Sequence, residues 1–129
     1  MTGSATMSEP ATVLLVDDEP RVLDSLEAML GMDYRVIRTE RPSEAPEMLA
    51  RERIAVVISD QRMPGMLGTE LLAQSLEVSP ETVRILLTAF TDADALMASV
   101  NQLCEEVVPT MAWEAVAPEV HKALQRFKV

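Results

Sequence analysis

Residues 12–31, "TVLLVDDEPRVLDSLEAMLG", carry the pattern on which the fold rests. Thr12–Val16 form an apolar run rich in β-branched residues, the signature of a strand buried on both faces. Two adjacent acids, Asp17 and Asp18, end that run. Pro20 suits the first turn of a helix, where its missing N–H does no harm. Val22, Leu23, Leu26, Met29 and Leu30 then recur at helical spacing, and Gly31 is a C-terminal stop. A buried strand that ends in acids and passes directly into an amphipathic helix is the opening of a parallel α/β unit.

The same alternation continues along the chain. "YRVIRT" (34–39) reads as a second strand and "PSEAPEMLARER" (42–53) as a helix with Ser43 near its start and Pro46 in its first turn. "IAVVIS" (54–59) is a third strand ending at Asp60, followed by "QRMPGMLG", read as a loop with a Pro-Gly turn. "TELLAQSLEV" (69–78) is amphipathic, with Leu71, Leu72 and Leu76 expected on its inner side. A fourth strand lies within 81–90 and stops near Thr88, a helix covers 92–103, a weak fifth strand covers 105–110, and 114–127 supplies a last helix. Five strands alternating with five helices predict a parallel sheet covered on both faces, with right-handed crossovers. Residues 1–10 are small and polar and read as a flexible lead-in, leaving 11–129 as one domain.

Composition narrows the function. A formal net charge of −10 argues against nucleic-acid binding and against an anionic membrane surface, and suits a divalent cation or a basic protein surface. One cysteine, Cys104, and one histidine, His121, can form neither an internal disulfide nor a Cys/His metal cluster. No apolar run approaches the roughly 18 residues of a membrane span. The N-terminus lacks the basic and apolar regions of a secretory signal, so the expected compartment is the cytoplasm. Nine methionines and only 3% aromatic residues point to a pliable aliphatic core. His121 reads as a solvated helix residue and Trp113 as a cover over the start of the last helix.

In a doubly wound sheet, ligands sit outside the carboxyl ends of the strands. Asp17 and Asp18 follow the first strand, Asp60 the third, and Thr88 ends the fourth, so all four belong to one edge. Ionised carboxylates gathered in one pocket repel each other, and a hard divalent cation such as Mg2+ relieves that repulsion. An Asp oxygen beside the cation can attack a phosphoryl group, and the Thr88 hydroxyl can hydrogen-bond a phosphate oxygen. The competing reading has Asp17 and Asp18 cap a helix while Asp60 opens a turn. A carboxylate-based phosphohydrolase on a similar sheet would also need a general acid, and none is evident.

"LLVDDEPRVLDSL" (14–26), "VVISDQRMPGMLGTELL" (56–72) and "ILLTAF" (85–90) together resemble the receiver domain of two-component response regulators, over most of residues 12–100. The resemblance implies a flavodoxin-like α/β fold, a doubly wound five-stranded parallel sheet of order 2-1-3-4-5 with helices on both faces. It implies Asp60 as phospho-acceptor and Asp17, Asp18 and Asp60 as Mg2+ ligands, with the backbone carbonyl of Arg62 completing the protein's share. It makes Thr88 the switch hydroxyl and Ala89 the small residue that leaves room for phosphate. It also implies a signalling domain rather than an enzyme. Its partners would be a sensor histidine kinase or phosphotransfer protein, an output domain or partner protein, and a second copy through helix four, strand five and helix five.

The pattern breaks after the fifth strand. Similar receivers carry Lys-Pro-Trp where this chain has Met111-Ala112-Trp113. A thioether cannot supply the lysine's charge, and the only lysines, Lys122 and Lys128, lie in the last helix. A cis bond before Ala112 would cost about 3–4 kcal/mol, so a trans bond is expected there. Val108 stands where the family has a mobile aromatic, and Pro109 removes a backbone donor, which an edge strand tolerates. Val108, Met111 and Ala112 are thus degenerate switch positions. The expectation is an atypical receiver, one that binds Mg2+ and acts chiefly as a phosphorylation-independent interaction module. An ordinary phospho-switch is the alternative.

Overall fold

The computed structural model describes residues 10–88, 106–109 and 116–125. Five parallel strands form one sheet: β1 (Thr12–Val16), β2 (Arg35–Thr39), β3 (Val56–Asp60), β6 (Val83–Thr88) and β7 (Glu106–Pro109). A two-residue pair, β4 (Arg62–Met63) and β5 (Met66–Leu67), forms a separate antiparallel hairpin. The sheet order is β2-β1-β3-β6-β7. With the hairpin set aside, this is the order 2-1-3-4-5.

Side-chain alternation explains why the sheet is covered on both faces. Val13 and Leu15 of β1 point into one core with Val56 and Ile58 of β3 and Ile85 and Leu87 of β6. Leu14 and Val16 point into the other with Val57 and Leu86. The first core is closed by helix α1 (Pro20–Leu30) through Leu23, Leu26 and Leu30, and by α4 (Val116–Leu124) through Val116, Val120 and Ala123. The second is closed by α2 (Ala45–Arg51) through Ala45 and Leu49, and by α3 (Gly68–Val78) through Leu71 and Leu72.

Several boundaries and one face differ from the sequence reading. Strand β2 starts at Arg35, and the helix expected from Pro42 opens as a single 3-10 turn over Pro42–Glu44 before α2 begins. The Pro-Gly loop contains the hairpin, whose turn places Gly65 at φ 83, a conformation suited to a residue without Cβ. In α3 the inner face is Gly68, Leu71, Leu72 and Ser75, and Leu76 is 38% exposed. The i, i+3, i+4, i+7 stripe that starts at Gly68 selects Ser75, whose hydroxyl returns a hydrogen bond to the Leu72 carbonyl at 2.9 Å and so is satisfied inside. The helix expected over 92–103 lies outside the described residues, as do Ala89, Cys104, Met111, Ala112, Trp113 and Phe127.

Burial separates the two leucines energetically. Leu72→Ala is expected to destabilise the domain by about 2–5 kcal/mol, and Leu76→Ala by less than about 1 kcal/mol. Urea unfolding of the two variants reads the difference, and equal losses would contradict this assignment of the α3 face.

Candidate functional site

The register of the sheet brings the acids together. Val16 pairs with Ser59 across β1 and β3, so Asp17 and Asp60 are the next residues along their strands. Asp18 follows in the turn before α1. One carboxylate oxygen from each of Asp17, Asp18 and Asp60 lies within 4.8 Å of the others. The expected pocket therefore forms at the carboxyl edge of the sheet.

Asp17 is the most confined of the three, at 4% exposed. Its Oδ1 accepts the Glu19 N–H at 2.9 Å, and its own N–H reaches the Thr39 carbonyl at 3.3 Å. Burial pushes its carboxyl from the ordinary 3.8 up to about 6; the Glu19 N–H opposes this, while the charges of Asp60, Asp18 and Glu19 add to it. The Asp60 carboxyl is also raised, first by burial and then by Asp18. Backbone N–H groups of Gln61 and Arg62 and the Arg62 charge pull it back. Capping does not account for these acids. The N-cap of α1 is Glu19, no side chain caps that helix, and Asp17 serves the turn that precedes it.

Thr88 ends β6, the strand hydrogen-bonded to β3, with Leu87 opposite Asp60. It is 1% exposed, and among the described residues its Oγ1 has no hydrogen-bond partner. A buried hydroxyl without a partner forfeits a hydrogen bond that water would have supplied, so such groups are rare unless a ligand completes them. Three carboxylates and an orphaned hydroxyl on adjacent strands form a hard oxygen donor set that fits Mg2+ and a phosphoryl group.

Two neighbours were not legible as site residues. Gln61 reads as a loop residue, yet it is buried, with its side chain accepting the Thr69 N–H at 3.0 Å. Gly68 lies so close beneath Asp60 that a Cβ there would collide with the Asp60 carbonyl oxygen and meet Leu86 Cδ1 at 2.8 Å. Val108 lies opposite Leu87 in β7 and is buried, at 3% exposed. Pro109 pairs with Thr88 on what is the sheet's edge strand among the described residues, where the missing donor is tolerated.

The raised Asp17 carboxyl has a definite sign. The folded state holds that proton more tightly than the unfolded chain does, so this group's contribution to stability falls as pH rises from 3.8 to about 6. At neutral pH the penalty is on the order of 1–2 kcal/mol once solvent screening near the edge is allowed for. Asp17→Asn keeps an acceptor for the Glu19 N–H and removes the charge. Metal-free Asp17→Asn should therefore melt above the wild type at pH 7, with the gap closing below pH 4. Mg2+ should raise the wild-type melting temperature and leave that of Asp17→Asn little changed. A variant less stable than wild type at pH 7 would contradict the account.

Comparison with known proteins identifies the family. The family model for the response regulator receiver domain matches residues 13–109. The chain is 42% identical over 92 residues to the hydrogenase transcriptional regulatory protein HoxA of Cupriavidus necator, covering 71% of this chain and 19% of that protein. It thus spans about a fifth to a third of the length of the curated relatives it matches. Among solved structures, adenylate cyclase from Rhodopirellula baltica superposes with a TM-score of 0.85 at 26% identity, covering 92% of this chain and 90% of that one. The response regulator protein TrrA from Thermotoga maritima, in complex with Mg2+-BeF, gives a TM-score of 0.77 at 26% identity, covering 88% and 98%. The family match over three-quarters of the chain, on a sheet of this order with acids at this edge, makes the protein a response regulator receiver domain, a signalling module of two-component systems.

Proposed function

We propose that this receiver domain holds Mg2+ through Asp17, Asp18, Asp60 and the Arg62 backbone carbonyl, and that Asp60 accepts a phosphoryl group. The supporting observation is the convergence of three carboxylate oxygens within 4.8 Å at one sheet edge. Bound Mg2+ would offset the mutual repulsion and neutralise charge on the transferring oxygens. An Asp60 oxygen attacks phosphorus, the bond from phosphorus to the donor's leaving group breaks, and an aspartyl phosphate results. Thr88 ends the adjacent strand, and its buried hydroxyl, without a partner among the described residues, would donate to a phosphate oxygen.

The phosphorylated state lacks the usual cation. Met111 occupies the lysine position in sequence. Lys122 is exposed on α4, where it pairs with Glu119 at 3.6 Å. Val108 is a buried aliphatic residue with no ring to rotate. Phosphorylation then shifts conformation weakly, and the domain works mainly by contact with partners. Those partners are a sensor histidine kinase or phosphotransfer protein and an output domain or partner protein. The relatives named as transcriptional regulators favour an output in transcription. A homodimer through the last strand and its flanking helices belongs to the same reading. Binding to nucleic acid or membrane by this domain does not, given the charge of −10. The orphaned Thr88 hydroxyl favours one competing reading, an ordinary phospho-switch that tolerates the lost lysine.

Intact-mass spectrometry after incubation with acetyl phosphate and Mg2+ tests this assignment. A hydroxylamine-labile phosphate adduct should form on the wild type and be absent from Asp60→Asn. Met111→Lys should speed its formation by about tenfold or more, because it adds a charge that stabilises the transferring phosphoryl group. An adduct of equal yield on Asp60→Asn would remove Asp60 as acceptor. No effect of Met111→Lys on rate or on the structural response would remove the lysine argument.

A further inference from the structure

We propose that Gln61 is the positioning residue of the acceptor loop, fastening Asp60 to the N-terminus of α3; this rests on the reading of Asp60 as phospho-acceptor. The first N–H groups of a helix need acceptors, usually supplied by a Ser, Thr, Asp or Asn at the N-cap. In α3 the N-cap is Leu67, whose side chain accepts nothing. Glu70 reaches back to the Leu67 N–H at 2.8 Å, which leaves the next N–H groups unserved. Gln61 serves both. Its carbonyl accepts the Gly68 N–H at 2.8 Å, and its Oε1 accepts the Thr69 N–H at 3.0 Å.

The third bond runs the other way. The Gln61 N–H donates to the Leu87 carbonyl of β6 at 2.9 Å. One residue, adjoining Asp60 in the chain, therefore ties β6 to α3 and closes the base of the β4–β5 hairpin. Gln61 is buried, at 8% exposed, so water competes little for these bonds. Gly68 removes the remaining slack, because its Cα packs directly under the Asp60 carbonyl. Asp60, the Arg62 carbonyl and the first turn of α3 then move as a unit. A displaced Asp60 is felt at Thr69, and a loosened Thr69 misplaces Asp60. This path to the surface uses neither Val108 nor Met111.

Two substitutions in the full chain separate the roles. Gln61→Met keeps the length and loses the acceptor, whereas Gln61→Glu keeps an acceptor for the Thr69 N–H. In metal-free protein, Gln61→Met should speed Thr69 amide exchange by about tenfold, and Gln61→Glu should restore protection. With acetyl phosphate and Mg2+, Gln61→Met should be phosphorylated about tenfold more slowly than wild type. Leu72→Val, a core change in the same helix, is the control for stability loss and should hold its rate. A wild-type rate in Gln61→Met, or an equal loss of rate in Leu72→Val, overturns the proposal. If the wild type forms no adduct, the acceptor reading fails by itself. The positioning role is then decided by the Mg2+-induced shift of the Thr69 amide resonance. A shift present in wild type and lost in Gln61→Met sustains it, and no shift in wild type ends it.

Discussion

β1 and β3 lie side by side in parallel, with Val16 opposite Ser59, and the chemistry at the carboxyl edge depends on that register. A slip of one residue would turn each strand's core side chains to the opposite face. Here the register is held from both sides, since Val13 and Leu15 fill one core while Leu14 and Val16 fill the other. Two well-packed faces leave the strand no alternative setting. Asp17 and Asp60 are thereby forced together although ionised carboxylates repel, and both carboxyls are raised, first by burial and then by the charges of neighbouring acids. Packing energy from apolar residues imposes an electrostatic conflict at the edge, which makes the edge receptive to a cation.

Much of this was legible because it rests on period and punctuation. The central strands β1 and β3 read as apolar runs, and each passes into polar residues at the edge where ligands gather. Asp17, Asp18, Asp60 and Thr88 could therefore be assigned to one edge before any coordinates. The hairpin was not legible, because strands of two residues leave no alternation to detect. Helical spacing groups Leu76 with Leu71 and Leu72, since it lies four residues after Leu72. The helix instead buries Ser75, a polar residue that finds its acceptor within its own backbone. The role of Gln61 was hidden for a different reason. It depends on what Leu67 lacks, six residues further on, and no local pattern reports an absent cap.

The departures after strand five fall on the reporting side of the site rather than on its acids. By the proposed reading, a receiver that keeps its carboxylates but loses the lysine would retain an attraction for the cation, since a competing positive charge is gone. By the same reading the charged product is what would suffer, because an aspartyl phosphate would add negative charge left to Mg2+, neutral donors and the nearby Arg62 charge to balance. The buried Val108 compounds this, because it carries no ring that could swing between core and surface.

Loss of one route would not isolate the site, since Asp60, the proposed acceptor, is fastened elsewhere. Asp60 ends a central strand, and the next residue spends its N–H, C=O and side-chain amide on two different elements. Hydrogen bonds shielded from water are stiff, and a glycine pressed against the Asp60 carbonyl leaves no compliant spacer. Any change at Asp60 must therefore be absorbed at the start of α3 or resisted by it. A domain built in this way can couple an occupied carboxylate pocket to a helix without an aromatic switch, because the coupling depends on the backbone that positions the acceptor.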